Sequence, residues 1–470
     1  MGGSSLGQPS HRLYAELLPN IRQVTLYVSL PPFSTSDLNI TLSPDCQTIE
    51  TTYQEESSKL RLPTRISEAS RDRLKFNQEQ KHGGEFSFRL PVDENQSAQS
   101  EREGDGDCVP WGATHLGFTT RLRCRQCQNQ LLRNDSDVGD SSTKKSSQGL
   151  VFKDLPSQNW AEMMDFWHCH KPDEPGHDHD HNHSHDDQNG HGRKEPKDPN
   201  ETVKGYGASN RLVATAGTVL VDVSSFVIAE DDGVGLKKEP SENQNQEENT
   251  KGTTCSSSDE QPNPRKNGHT KVLETRTAKL LCRYCGITLG AEDNEVVAGG
   301  WRIDKASVSV FPGLNKATTE TNDLGKVEWE TYPVETIMAA QLSELIEREG
   351  LRRFVVHCSD SDDNGGLLLW VFNPDIRYSS SHSQDTSMGQ LPPTSGRAMK
   401  VFYQYLSASK VDSLLANELG ERQSTSVGEL DLHSGTVLKE LKGSLEGSTQ
   451  MLPIPARKFQ EWNVGVMNRT

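Results

Sequence analysis

The chain has 470 residues and a formal net charge of −17, with 50 Lys and Arg against 67 Asp and Glu. Only 32% of the residues are hydrophobic and the mean hydropathy is −0.73, so parts of the chain lack the apolar side chains needed for a core. The charge disfavours direct binding to nucleic acid or anionic lipid, and the longest apolar run, Leu367 to Phe372, is far shorter than the roughly 20 residues of a membrane span.

Cysteine usage and the N-terminal sequence together point to a compartment. Residues Met1 to Pro9 are rich in Gly and Ser and do not resemble a secretory signal. We therefore expect a reducing setting, cytoplasmic or nuclear or both. In such a setting the nine cysteines serve as metal ligands, reactive thiols or small buried residues rather than as disulfides.

The first block, residues 1–133, is predicted to be rich in strands. Short runs with strand character occur at Val24 to Leu30, Glu85 to Val92 and Ala113 to Leu122. Residues 134–149 contain no periodic apolar positions and are interpreted as a linker.

An amphipathic segment, residues 150–171, follows the linker. Helical spacing places its large apolar residues on one face, and a cysteine between two histidines lies at its end. We predict a partner-binding surface made of Trp160, Met163, Met164, Trp167, Cys169 and His170. The alternative is that this face packs on the core of the same protein and that Cys169 is buried with it.

Two polar tracts are predicted to be disordered, residues 172–204 and residues 231–270, because neither has enough apolar residues to offset the entropy of ordering. The first contains six histidines between His177 and His191. These could chelate zinc, copper or nickel, but an unfolded tract orders none of them well, and a low-complexity insert is the simpler interpretation.

A second β block is predicted at residues 205–330, around the second disordered tract. It contains the strand-like runs Arg211 to Ala229, Lys271 to Leu289 and Trp301 to Val310. These runs need a core to pack on, so the block is expected to fold.

Residues 331–470 are predicted to form a mixed α/β region. Because no strict βαβ repeat appears, the fold class expected for the whole chain is α+β with β-rich N-terminal and middle blocks. The predicted elements are a helix from Pro333 to Gly350, a hairpin of Leu351 to Cys358 and Gly366 to Asn373, a strand from Ala398 to Leu406 and a short helix from Val437 to Leu445.

Two CxxC turns, Cys124 with Cys127 and Cys282 with Cys285, predict a four-cysteine zinc site that joins the two β blocks. About 154 residues separate the turns, and closing such a loop costs roughly 4 to 5 kcal/mol against about 10 to 16 kcal/mol of apparent zinc affinity. Four thiolates leave no open coordination position, so the zinc is expected to be structural. Four buried or redox-inert cysteines without a metal are the alternative.

Several segments together resemble the HECT-like family of proteins that bind ubiquitin-conjugating enzymes. The segments are LLPNIRQVTLYVSLP, the paired CRxC turns, LPSQNWAEMMDFWHCH, LLLWVFNPDIRYSSS, RAMKVFYQY and a terminal LPxxxRxFxxWNVG. The resemblance implies a ubiquitin ligase whose partners are a ubiquitin-conjugating enzyme, ubiquitin and protein substrates.

Ligases of the ordinary HECT type use a cysteine thioester, and this chain has no cysteine after Cys358. Cys358 is therefore a candidate catalytic residue, with Cys169 as the other. Acidic residues follow Cys358 and disfavour a thiolate, so the residue pattern by itself favours a buried strand thiol.

The resemblance also implies a second, non-catalytic function. In it, the tryptophan-cysteine segment looks like an inhibitory tail that enters the active site of the metallo-endonuclease that processes pre-mRNA 3′ ends. Trp160, Trp167 and Cys169 would carry this role, with the Cys169 thiolate taking an open position on the partner's zinc.

Overall fold

The computed structural model describes the greater part of the chain. The described residues are 11–31, 38–54, 56–74, 84–93, 109–133, 149–155, 212–239, 277–293, 296–313, 328–359, 365–381, 396–416 and 427–469. The histidine-rich tract and the six predicted partner-binding residues from Trp160 to His170 lie outside these ranges.

Strands predominate in the described residues, and helices are few. The strands are β1 Arg12–Leu18, β2 Gln23–Ser29, β3 Asn39–Leu42, β4 Thr48–Tyr53, β5 Glu56–Arg61, β6 Glu85–Pro91, β7 Arg121–Cys124, β8 Val151–Asp154, β9 Leu212–Val213, β10 Thr218–Val221, β11 Ser225–Ala229, β12 Leu236–Lys238, β13 Lys279–Cys282, β14 Thr288–Asp293, β15 Val297–Ala298, β16 Gly300–Asp304, β17 Val308–Phe311, β18 Arg353–His357, β19 Gly366–Ser380, β20 Gly396–Leu406, β21 Gly428–Asp431, β22 Lys458–Phe459 and β23 Trp462–Asn468. The helices are α1 Ser70–Arg73, α2 Val334–Glu349, α3 Ala408–Ala416 and α4 Gly435–Met451. None of these helices is both long and apolar enough to cross a membrane.

The chain divides into two compact units. The discontinuous unit combines Met1–Pro110 with Tyr332–Thr470, and the inserted unit is Trp111–Thr331. This division differs from the blocks expected from the sequence, because residues 111–133 and the first cysteine pair belong with the second β block rather than with the N-terminal strands.

A nine-stranded sheet forms the centre of the discontinuous unit. Its order is β22-β23-β20-β19-β1-β2-β6, and β18 pairs with both β19 and β21. The N-terminal strand β1 lies between β2 and β19, so that Tyr14 is opposite both Tyr27 and Ser380. A smaller sheet, β3-β4-β5, packs its apolar face against the N-terminal part of the large sheet and contributes Ile49 and Leu60 to a shared core.

The helix predicted from Pro333 to Gly350 is present as α2. It begins immediately after Pro333 and ends at Gly350, which has φ +70 and donates its backbone N–H to the oxygen of Ile346 at 2.9 Å. The left-handed conformation favours glycine, which explains where the helix stops. The second predicted helix is longer than expected and runs over Gly435–Met451 as α4.

The predicted hairpin is confirmed, since β18 and β19 pair antiparallel with Val356 opposite Leu367. The strand expected from Ala113 to Leu122 is wrong over most of its length. A 3₁₀ turn occupies Ala113–His115, and the strand begins only at Arg121. The Oγ of Thr120 donates to the oxygen of Pro312 at 2.6 Å and fixes the loop just before that strand.

The start of the tract predicted to be disordered at residues 231–270 is instead folded. A 3₁₀ turn at Glu230–Asp232 leads into β12, where Leu236 is buried against the core. The buried carboxylate of Asp232 pairs with Arg133 at 2.9 Å. The composition of these residues is polar, but buried Leu236, the Asp232–Arg133 ion pair and the pairing of β12 with β13 hold them in the fold.

The inserted unit is organised around a seven-stranded sheet with the order β12-β13-β14-β16-β11-β10-β8. Its central pair, β11 and β16, is antiparallel, and each of these strands is followed by a 3₁₀ turn and then by a further strand, β12 and β17 respectively. β12 pairs with β13, and β17 pairs with β7. The unit thus has an N-terminal half, residues 111–239, and a C-terminal half, residues 277–331. Strand β12 of the first half pairs with the second half, and strand β17 of the second half pairs with the first.

Candidate metal centre

The two CxxC turns meet in the inserted unit, as the sequence predicted that they would. The four sulfur atoms of Cys124, Cys127, Cys282 and Cys285 all lie within 4.8 Å of one another. The Sγ atoms of Cys124 and Cys285 are 3.7 Å apart, and those of Cys127 and Cys282 are 3.6 Å apart. Because both short distances join one turn to the other, the cluster could hold a metal ion that links the two turns.

The first turn is closed by its own backbone. Strand β7 ends at Cys124, whose N–H donates to the oxygen of Asn129 at 2.8 Å. The N–H of Gln128 in turn donates to the oxygen of Cys124 at 2.9 Å. These two hydrogen bonds fold the chain back after the second cysteine and direct both thiols to the same side.

The second turn repeats this pattern. Strand β13 ends at Cys282, whose N–H donates to the oxygen of Ile287 at 2.9 Å, and the N–H of Gly286 donates to the oxygen of Cys282 at 2.9 Å. The two turns are thus the same local structure built from different sequences.

The exchanged strands position the two turns. Val308 of β17 is the neighbour of Cys124, and Leu236 of β12 is the neighbour of Cys282. Just beyond each cysteine, the N–H of Arg125 donates to the oxygen of Ser307 at 3.0 Å, and the N–H of Arg283 donates to the oxygen of Gly235 at 2.8 Å. The cysteine cluster lies where the two halves of the unit hold each other.

The thiols of the cluster differ in environment. Cys124 and Cys282 are buried, and burial raises the pKa of both thiols. Burial also acts to raise the pKa of Cys127, but hydrogen bonds from Asn129 and from neighbouring cysteines outweigh it and lower that pKa to about 6. The Nδ2 of Asn129 lies 3.4 Å from the Cys127 sulfur. Cys127 can therefore be a thiolate near neutral pH.

An arginine between two carboxylates supports the same unit, and the sequence analysis gave it no role. Arg302 on β16 donates to Asp222 at 2.7 Å and to Asp293 at 2.6 Å. Asp222 follows β10 and Asp293 ends β14, so one guanidinium ties together the strands on both sides of the central pair. The sequence analysis contained no signal for this group, because Asp222 lies inside the predicted run Arg211 to Ala229 and Asp293 lies beyond the run that was predicted to end at Leu289.

The candidate catalytic residue Cys358 directly follows β18 and is 2% exposed. Beside it, the Nε2 of His357 is 2.8 Å from Glu429, and the Oγ of Ser359 donates to Asp431 at 2.6 Å. A thiol buried to this degree is not accessible to the thioester of another protein in this conformation.

A β-rich fold with a four-cysteine centre is the class that these features define. The chain matches the family described as HECT-like ubiquitin-conjugating enzyme (E2)-binding over residues 16–464, and it belongs to that family. The family match accordingly supports binding to a ubiquitin-conjugating enzyme.

Two fungal relatives are similar over most of the chain. A protein of Saccharomyces cerevisiae, described as uncharacterized, is 20% identical over 345 residues, which cover 73% of this chain and 67% of the relative. A Schizosaccharomyces pombe protein, also described as uncharacterized, is 22% identical over 365 residues, which cover 76% of this chain and 77% of the relative. No solved structure matches.

Proposed function

We propose that this protein is a ubiquitin ligase that binds a charged ubiquitin-conjugating enzyme and promotes transfer of ubiquitin to lysines of protein substrates. The observation that carries the proposal is the family match, which extends over residues 16–464 and is described by its binding to E2 enzymes. The six cysteines in the described residues are all free thiols, which is compatible with a cytoplasmic or nuclear site of action, and we also propose that location.

Direct transfer from the conjugating enzyme is the mechanism we favour. In the described part of the chain, the two cysteines outside the metal cluster, Cys46 and Cys358, are both buried. In direct transfer the neutral amine of a substrate lysine attacks the thioester carbonyl, the C–S bond breaks, and the cysteine of the conjugating enzyme leaves as thiolate while the amine loses a proton. The ligase then contributes by holding the two proteins in a reactive geometry.

The test is incubation of the full chain with a charged conjugating enzyme, followed by gel analysis with and without reductant. We expect isopeptide products that resist reductant and equal product from the wild type, Cys358→Ala and the matched buried-cysteine control Cys46→Ala. A reducible ubiquitin adduct that Cys358→Ala abolishes would assign a thioester to Cys358 and overturn direct transfer. An adduct lost only in Cys169→Ala would assign it to Cys169.

The four-cysteine cluster suits a structural zinc ion. Thiolates at about 2.3 Å from zinc on tetrahedral corners lie about 3.8 Å apart, and the two short sulfur separations of 3.6 and 3.7 Å fit that geometry. Zinc would be held by Cys124, Cys127, Cys282 and Cys285, which fill its coordination shell. Its contribution would be to fix the two turns, and the transfer reaction would not pass through it.

A second candidate function is binding to the metallo-endonuclease of pre-mRNA 3′-end processing through Trp160, Trp167 and Cys169. The observation that favours it is the position of Leu155, whose N–H donates to the oxygen of Val221 at 2.8 Å at the end of the edge strand β8. The described start of the tryptophan-cysteine segment, residues 150–155, is therefore held at a sheet edge. Affinity purification of the wild type and of Cys169→Ala tests this function, since the endonuclease should be recovered only with the wild type. Equal recovery would contradict it.

A further inference from the structure

Five aromatic side chains form one cluster in the nine-stranded sheet, and the functions considered so far use none of them. We call them the aromatic strip. Its members are Trp370, Phe372, Phe402, Phe459 and Trp462.

Three rings of the strip form a stack that reaches from β19 over β20 to β22, with β23 between the last two strands. The ring of Phe402 on β20 lies 4.9 Å from that of Phe372 on β19, with 20° between the planes. On its other side the ring of Phe459 on β22 lies 5.1 Å away, with 16° between the planes. Offset stacking at these distances adds to the stabilisation from burial alone, so the three rings hold one another in place.

The two tryptophans of the strip pack edge-on beside the stack. Trp370 meets Phe402 edge-on at 5.3 Å and Trp462 at 5.9 Å, and the guanidinium of Arg353 lies 5.0 Å above the ring of Trp370. These contacts leave the strip few alternative rotamers. Binding of a partner to the strip would therefore cost little side-chain conformational entropy in this protein.

The members of the strip differ in solvent exposure: some are buried and others are about half exposed. Phe402 is 4% exposed and Trp462 is 8% exposed, whereas Phe372 is 53% exposed and Phe459 is 45% exposed. Single exposed apolar residues are common, but two rigid phenyl rings exposed on either side of a buried one form a patch. Such an arrangement of aromatic anchors is typical of the energetic centre of a protein interface.

In the described part of the unit, the cluster that buries Phe402 and Trp462 does not include the exposed rings of Phe372 and Phe459. Helices α2 and α4 pack against β23, and the hydroxyl groups of Tyr403 and Thr449 are hydrogen-bonded at 2.9 Å. Tyr403 is adjacent to Phe402 in β20, so the helices lie on the face of the sheet opposite to the strip. On the strip's own face, helix α3 packs with Val411 against Val355 and Leu368.

Polar residues border the strip. The β22–β23 hairpin exposes Lys458, Gln460 and Glu461 around Phe459, and Arg353 borders the opposite end. An apolar centre within a polar rim that carries both signs of charge is the ordinary composition of a reversible interface between proteins.

We propose that the aromatic strip is the docking site for the ubiquitin-conjugating enzyme, and that the exposed faces of Phe372 and Phe459 receive an apolar surface of that enzyme. The inference rests on the proposed function. The choice of partner comes from the family match, which is described by E2 binding and whose residues 16–464 include every member of the strip.

The experiment measures the affinity of the full chain for a panel of recombinant ubiquitin-conjugating enzymes, each free and charged with ubiquitin. The test variant is the double substitution Phe372→Ser/Phe459→Ser, and the matched control is Phe118→Ser, which changes a phenylalanine that is 70% exposed in the inserted unit. We expect at least a tenfold loss of affinity in the double variant and less than a twofold change in the control. Phe372→Tyr/Phe459→Tyr should keep the wild-type affinity, because the stack is retained.

The outcomes separate this inference from the function on which it rests. If the wild type binds a conjugating enzyme and the double variant binds it equally well, the docking site is elsewhere and ligase function stands. If the wild type binds none of the panel, the proposed function fails and the docking site with it. Loss of self-association in the double variant, with binding to the enzyme unchanged, would also overturn the inference by making the strip a homodimer contact.

A crosslink decides the matter should the double variant fail to unfold cooperatively. A photoreactive phenylalanine analogue at position 372 should crosslink the conjugating enzyme, and the same analogue at position 118 should not. The absence of a crosslink from position 372, with binding intact, would contradict the proposal.

Discussion

Gln128 and Gly286 occupy the same position in the two cysteine turns, and both have a left-handed backbone. Each residue directly follows the second cysteine of its turn, with φ +64 for Gln128 and φ +76 for Gly286. The turn requires this conformation in order to fold back behind the thiols. Glycine adopts it without strain, whereas glutamine does so at a cost in conformational energy.

The first prediction uses this pair. Gly286→Ala should lower the free energy of unfolding by about 1 kcal/mol, because an added Cβ meets nothing within 4 Å and the whole cost is conformational. Gln128→Gly should change stability by less than about 0.5 kcal/mol, since relief of strain is offset by a more flexible unfolded chain and by loss of the 2.7 Å hydrogen bond from Gln128 to Arg125. Urea unfolding of both variants measures the difference. The prediction would be contradicted if the two substitutions changed the free energy of unfolding by the same amount.

The second prediction concerns the metal. The purified protein should contain about one zinc per chain by elemental analysis, and Cys282→Ser should lose the metal and destabilise the inserted unit because the remaining thiolates cannot complete the coordination shell. Cys358→Ala is the matched control, since it removes a buried thiol outside the cluster and should keep the zinc. Full metal content and unchanged melting in Cys282→Ser would refute the site.

The third prediction tests Arg302. Arg302→Met should destabilise the protein by about 3 to 5 kcal/mol, because Asp293, whose side chain is 4% exposed, would remain buried without its partner. Burial acts to raise the pKa of Asp293, but the charge and hydrogen bonds of Arg302 outweigh it and lower that pKa below its usual value. The stabilisation is therefore present above about pH 4, the unfolded value, and is lost as the pH falls through the lower folded value. Chemical unfolding of wild type and Asp293→Asn between pH 3 and pH 7 should show this loss only in the wild type.

The fourth prediction concerns Lys305, a fully buried lysine whose Nζ lies 3.4 Å from the oxygen of Trp111 and 5.2 Å from the ring of Phe226. Burial lowers its pKa to about 7. Between pH 7 and about pH 10.5 the unfolded chain binds this proton and the folded chain does not, so the stability of the wild type should rise with pH across that window. Lys305→Met should not show this rise. Parallel stability curves for the two proteins from pH 7 to pH 9.5 would contradict the prediction.

Local patterns in the sequence were sufficient for several elements of the fold. Helix α2 has one apolar stripe and a terminal glycine, and the hairpin of β18 and β19 consists of adjacent apolar runs, so each is determined by residues close together in the chain. The convergence of the CxxC pairs was also predictable, because the affinity of thiolates for a metal exceeds the cost of closing a long loop.

Pairings between distant segments were not predictable in the same way. Nothing in Arg12–Leu18 indicates that its neighbours are both Gln23–Ser29 and the far end of Gly366–Ser380, since strand periodicity shows which side chains are buried but not which strand lies alongside. The exchange of β12 and β17 between the halves of the inserted unit was missed for the same reason. The aromatic strip was missed because Trp370, Phe402 and Phe459 come together only when three strands align.

The position of β1 between β2 and β19 has a consequence for synthesis of the protein on the ribosome. The N-terminal strands emerge first, yet the edge that β1 offers to β19 has no partner until about residue 380 has left the exit tunnel. All residues of the inserted unit emerge before that point, so its two cysteine turns can capture a metal while the large sheet is still incomplete. Until then, the unpaired edge of β1 is the surface through which one nascent chain could pair wrongly with another. A chaperone bound to the nascent chain is therefore expected at this edge.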